Sequence, residues 1–141
     1  MMGVKLGTEE IKYINLFENM TGASVKDCIL QEKVFFVVKQ GQMGLAIGRK
    51  GANIQRLTET IGKSIEIIEY SDDPETFVRN ILRPASIRNV TITTRPDNKV
   101  VATLDVLRRD KGLAIGPKGK NIERAKTLME RHHNIGDIVI M

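Results

Sequence analysis

The chain has 141 residues, enough for one ordinary domain or two small ones, and 41% of them are hydrophobic, which supports a packed core and excludes a disordered chain. Its net charge of +5 is spread over both halves, with 9 basic against 8 acidic residues in 1–70 and 13 against 9 in 71–141, so a nucleic-acid partner is compatible and a polycationic tail is excluded. The single cysteine, Cys28, excludes an internal disulfide and reads as a small core residue; no apolar run approaches the roughly 20 residues of a membrane span. The opening stretch MMGVKLGTEE has no apolar segment of the kind a secretory leader needs. A soluble, cytoplasmic protein with no membrane partner is expected.

Ile11, Ile14, Phe17 and Met20 fall at helical spacing, with Thr8 as N-cap and Gly22 as the stop. Ser24 to Leu30 reads as a strand, and KVFFVVK, Lys33 to Lys39, is a strong one. A short helix over Gln40 to Ile47 ends near Gly48. A second helix, Ala52 to Ile61, carries Ile54, Leu57 and Ile61 on one face, with Gly62 beyond its end. SIEIIEY, Ser64 to Tyr70, is β-like. Ser71-Asp72-Asp73 marks a join too short to act as a flexible linker, so two domains packed in a fixed relation are expected.

Beyond the join, Pro74 opens a helix running to Leu82, with Asp72 and Asp73 as capping residues. Ser86 to Thr94 and Lys99 to Leu107 form a hairpin around the turn residues Arg95-Pro96-Asp97-Asn98. A short helix to Ile115, a helix Asn121 to His132 with Ile122, Ala125 and Met129 aligned, and a strand Ile138 to Met141 complete the chain. The adjacent His132 and His133 point to different sides of that helix and suit its C-terminal end.

One stretch is written twice. GLAIGRKGANIQRL, Gly44 to Leu57, returns at an offset of 68 as GLAIGPKGKNIERA, Gly112 to Ala125. Gly44, Leu45, Ala46, Ile47, Gly48, Lys50, Gly51, Asn53, Ile54 and Arg56 all have an identical counterpart. With the flanking elements in the same order, this is an internal repeat of two similar units. Each copy places Gly-x-x-Gly between two helices. Glycine permits the sharp turn and leaves no Cβ to hold a partner's backbone away. The following helix presents its positive N-terminal end, and Arg49, Lys50 and Lys118 add charge, which together suit a sugar-phosphate backbone. The neighbouring aliphatics (Leu45, Ala46, Ile47 and Ile54; Leu113, Ala114, Ile115 and Ile122) divide between core and groove wall.

The pattern Ile-Gly-x-x-Gly followed by Asn-Ile resembles the KH domain, and the helix-first order is similar to its type II form. The resemblance implies an α+β fold of two tandem type II KH domains, 1–71 and 72–141, each a small mixed three-stranded sheet with helices packed on it. The pair, GRKG then GPKG, is similar to the archaeal NusA-like transcription factors. That resemblance implies that Gly48, Arg49, Lys50 and Gly51, and then Gly116, Pro117, Lys118 and Gly119, hold the phosphates of about four nucleotides each. It places bases beside Ile47, Ile54, Ile115 and Ile122. It further implies one continuous strand of single-stranded RNA over both domains, a monomer, and a role in transcription elongation, termination or antitermination. RNA polymerase or another transcription factor is then a candidate partner, although the polymerase-binding and S1 domains of bacterial relatives have no counterpart in these residues. Pro117 departs from a doubly basic loop, removing an N–H and stiffening the turn.

Aromatic residues are only 4% and tryptophan is absent, which argues against stacking platforms; Phe35 and Phe36 lie in a core strand with at most one facing out, leaving Tyr70 as an exception. Enzyme readings fail on spacing. Gly62-Lys63-Ser64 lacks a P-loop's first glycine, since Leu57 stands there; Gly119-Lys120-Asn121 has Ala114 in that place and no hydroxyl. No catalytic residues, cofactor or metal ligands are expected. Two other readings remain open: a KH protein of the ribosome or its assembly, and a protein–protein adaptor.

Overall fold

A computed structural model describes residues 6–141. Residues 1–5, part of the opening stretch read above for a leader, lie outside them. The chain divides into two compact units, Met1–Ser71 and Asp72–Met141.

The first unit runs α1 (Thr8–Thr21), β1 (Val25–Leu30), β2 (Val34–Val38), α2 (Met43–Ile47), α3 (Ala52–Ile61) and β3 (Ile65–Glu69). Gly7, not Thr8, is the N-cap of α1: the Ile11 N–H donates to the Gly7 carbonyl at 3.1 Å and draws Thr8 into the first turn. At the other end the Thr21 hydroxyl donates back to the Phe17 carbonyl and accepts from the Ala23 N–H, and Gly22 closes the helix at φ 79°. The helix expected from Gln40 starts only at Met43, because Gly41 sits at φ 85° and interrupts it.

β2 is the central strand, antiparallel to β1 and parallel to β3. All five of its residues are buried, Phe35 and Phe36 both included. Phe36 packs its ring 4.3 Å from that of Phe17, and Val34, Val38, Ala46 and Leu57 complete this core. A parallel neighbour cannot be joined by a tight turn and needs a crossover. Here the crossover is the α2–loop–α3 segment, so the glycine-rich stretch is also the connection that closes the sheet. Of the face expected on α3, Leu57 is fully buried while Ile54 and Ile61 are half-buried.

The second unit repeats the plan with α4 (Pro74–Leu82), β4 (Ile87–Thr94), β5 (Val100–Val106), α5 (Lys111–Ile115), α6 (Lys120–His133) and β6 (Asp137–Ile140). Asp73 caps α4, accepting from the Thr76 N–H and hydroxyl at 3.2 and 2.7 Å. The sheet order β4-β5-β6 and its mixed sense copy the first sheet, and the irregularity between Val25 and Asp27 in β1 recurs between Ile87 and Asn89 in β4. His132 and His133 do not diverge as expected: both rings lie against Phe77, with centroids 5.9 and 5.6 Å away. Helix α6 packs on α4, and a large aromatic between them is wide enough to meet two consecutive positions.

Cys28 is buried in β1, and burial pushes its thiol up to about 12. No helix among the described residues is long and apolar enough to cross a membrane. No group of three or more His, Cys, Asp or Glu side chains among them could hold a metal ion.

Candidate nucleic-acid interface

The two Gly-x-x-Gly turns share one backbone geometry. Gly48 and Gly116 take φ/ψ of 78°/170° and 76°/169°, a region open only to glycine. Lys50 and Lys118 are left-handed at 55°/30° and 55°/24°, and Gly51 and Gly119 follow at 74°/16° and 71°/18°. A lysine in this conformation costs on the order of 1–2 kcal/mol. Both units retain that strain, and both turn the lysine out into solvent. Arg49 and Pro117, the other middle residues, are also exposed. Among the described residues Arg49, Lys50 and Lys118 form no ion pair. Pro117 leaves the second loop without the N–H that Arg49 offers in the first.

Each loop is braced from the helix after it. The Asn53 side-chain amide donates to the Leu45 carbonyl at 3.0 Å, and that of Asn121 to the Leu113 carbonyl at 2.8 Å. These carbonyls belong to the last turn of a five-residue helix, where intrahelical partners run out. The same side chains fill the space beside the first loop glycine: a Cβ on Gly48 would stand 2.7 Å from Asn53 Cγ, and one on Gly116 2.6 Å from Asn121 Cγ. The repeat contains both asparagines, but sequence reasoning assigned them no role. Their counterpart, an invariant pairing of glycine with an asparagine five residues later, was the available signal.

The aliphatic flank is sorted by burial. Ala46 and Ala114 are fully buried and anchor the short helices to the core. Leu45 and Leu113 are 50% and 44% exposed, and Ile115 is 42% exposed. Ile47, Ile54 and Ile122 are half-buried. All four expected wall residues therefore reach the surface beside a loop, and Leu45 and Leu113 join them. Lys26 Nζ lies 4.4 Å over one face of the Tyr70 ring. Gly44 and Gly112 have ordinary φ, and beyond their chain neighbours and their own helix backbone no atom lies within 4 Å of a Cβ placed on either. The fold thus does not require glycine there, and both leave bare backbone at the surface one turn before the loop.

The second unit adds a brace that the first lacks. Arg124 is only 6% exposed, and its Nη2 donates to Asn121 Oδ1 at 3.1 Å. Arg56, at the matching position, is exposed.

This geometry can be set beside known proteins. A KH-domain profile matches residues 11–79, and a profile for the NusA-like second KH domain matches residues 74–139. The chain is 40% identical, along its whole length, to the probable transcription termination protein NusA of Methanocaldococcus jannaschii, covering 77% of that protein. The chain belongs to the NusA-like family of tandem KH proteins. The namesake protein of Halobacterium salinarum is 41% identical over 97% of this chain and 98% of its own length. The crystal structure of APE1850 superposes with a TM-score of 0.79 at 34% identity, covering 96% of this chain and all of that one. The family's two-KH plan accounts for the duplicated sheet, crossover and loop described above.

Proposed function

We propose that the chain binds single-stranded RNA through two Gly-x-x-Gly grooves, in KH domains spanning 1–71 and 72–141, and acts without catalysis in transcription elongation and termination. The observation that carries this reading is the duplication of one strained, solvent-exposed turn with unpaired cations, in a chain whose relatives are named transcription termination proteins. A strain kept twice at the surface, on an exposed lysine, supports a ligand-facing role.

In each groove the glycines let a sugar-phosphate backbone come close, and the cations neutralise its phosphates. Gly48, Arg49, Lys50 and Gly51 do this in the first groove, and Gly116, Pro117, Lys118 and Gly119 in the second. Ile47 and Ile54, and Ile115 and Ile122, wall the path of the bases. With few aromatics, recognition rests on aliphatic contact and base-edge hydrogen bonds, so each groove is modest and the pair gains by avidity. The protein acts as a monomer within the transcription machinery, with RNA polymerase or another factor as its protein partner.

The test is fluorescence anisotropy of a labelled single-stranded oligoribonucleotide across a salt series, with matched DNA and duplex RNA as controls. Saturable binding that prefers RNA and weakens by about 0.7 decades per decade of salt for each phosphate neutralised is expected. Arg49→Asp with Lys50→Asp, and Lys118→Asp, weaken it while leaving the circular dichroism spectrum intact. Unchanged affinity in both loop variants overturns the groove assignment.

A further inference from the structure

The turn that leads from the central strand into the first short helix is built alike in the two units and charged differently. In the first unit the Lys39 N–H donates to the Ser24 carbonyl at 2.9 Å, and Gln42 Oε1 accepts from the Ser24 N–H at 2.6 Å. In the second, the Leu107 N–H donates to the Ser86 carbonyl at 3.0 Å, and Asp110 Oδ2 accepts from the Ser86 N–H at 2.8 Å. These shared anchors make Gln40 and Gly41 the counterparts of Arg108 and Arg109.

The first turn carries a carboxylate: Glu69 Oε2 accepts from the Gly41 N–H at 2.8 Å. In the second, the Asp110 carboxylate is turned onto the Ser86 backbone. Arg108 and Arg109 are exposed, and among the described residues neither forms an ion pair or a side-chain hydrogen bond. Two adjacent exposed cations add little to stability. A guanidinium can, however, grip a phosphate with two parallel hydrogen bonds.

The turn is separated from the Gly116–Gly119 loop only by α5, five residues long, or about 7.5 Å at 1.5 Å per residue. Four nucleotides cover a longer path than this, roughly 10 Å even at a stacked spacing of about 3.4 Å.

We propose that Arg108 and Arg109 add two phosphate contacts to the second groove, so that the RNA backbone continues from the Gly116–Gly119 loop over this turn. In the first groove it meets Glu69 instead and is held by the loop alone. This rests on the RNA-binding reading above and makes the two grooves unequal.

The experiment is the anisotropy salt series on the full chain, comparing wild type with Arg108→Ala/Arg109→Ala, Arg108→Lys/Arg109→Lys, Lys118→Asp and Arg95→Ala. Arg95 is an exposed cation on the β4–β5 turn of the same unit. The double alanine variant should show a salt slope shallower by about 1.4, losing about sevenfold less affinity than wild type between about 50 and about 200 mM salt. The double lysine variant and Arg95→Ala should keep the wild-type slope. A wild-type slope in the double alanine variant overturns the proposal, as does an Arg95→Ala loss equal per charge. If Lys118→Asp weakens binding while the double alanine variant does not, this inference fails and the groove assignment stands; if wild type binds no RNA, both fail.

Discussion

At the scale of the residue, the loop glycines are not equivalent. Gly48 lies where only glycine is at ease and has Asn53 against it, whereas Gly51 is left-handed with nothing within 4 Å of a Cβ. Gly48→Ala should therefore cost more than the roughly 1–2 kcal/mol of a left-handed alanine, and Gly51→Ala about that amount, read from urea midpoints. Asn121→Ala should destabilise more than Asn53→Ala, because it also takes a hydrogen-bond acceptor from the buried Arg124 guanidinium, a loss of about 1–3 kcal/mol. Cys28 gives a pH test. Its thiol is raised from an ordinary 9.0 to about 12 by burial first and by the Glu10, Asp27 and Glu9 carboxylates after that. The thiolate is the reactive form, so iodoacetamide should label the native protein very slowly at pH 8 and the urea-unfolded chain readily. Because the folded value is the higher one, the associated stability is fully present below 9.0 and is lost as pH rises toward 12. Fast labelling of native protein would place Cys28 outside the core.

At the scale of the element, α4 is held at its start by Asp73. Its carboxyl lies below the ordinary value, first because the Thr76 hydroxyl donates to it and then through the Thr76 and Glu75 backbone N–H groups and His133. A depressed value means that the cap's contribution is present above 3.8 and is lost as pH falls through the lower folded value. Asp73→Ala should lower the melting temperature at neutral pH. Asp73→Asn, which keeps an acceptor, should lower it less and remove this part of the acid sensitivity. Element types and order were legible in the sequence because they rest on local periodicity and stop residues: Val and Phe in β2, Pro74 and Asp73 before α4, Gly22 and Gly62 after α1 and α3. Boundaries moved where a hydrogen bond or a backbone dihedral decided them, as at Gly7 and Gly41. The meeting of His132 and His133 on Phe77 was not legible, because it depends on the packing of α6 against α4.

At the scale of the whole molecule, the proposed pair of grooves, at about four nucleotides each, makes length the informative variable. An oligoribonucleotide long enough for both should bind more tightly than one of four nucleotides, and reversing the charge of either loop should remove most of that gain while barely altering the binding of the short strand to the other groove. Equal affinity for short and long strands would mean that the grooves act singly. The sequence by itself determined the duplication, the element order, the position of both Gly-x-x-Gly turns and the cations within them, because identity at a fixed offset and the stereochemistry of glycine are local properties of the chain. Tertiary structure alone decided which copy buries its arginine, that Leu45 and Leu113 face solvent while Ala46 and Ala114 vanish into the core, and that an asparagine side chain locks each turn to a carbonyl eight residues earlier. Those outcomes depend on how the crossover settles onto its sheet, which sets burial and partner distance between residues that the chain order keeps apart.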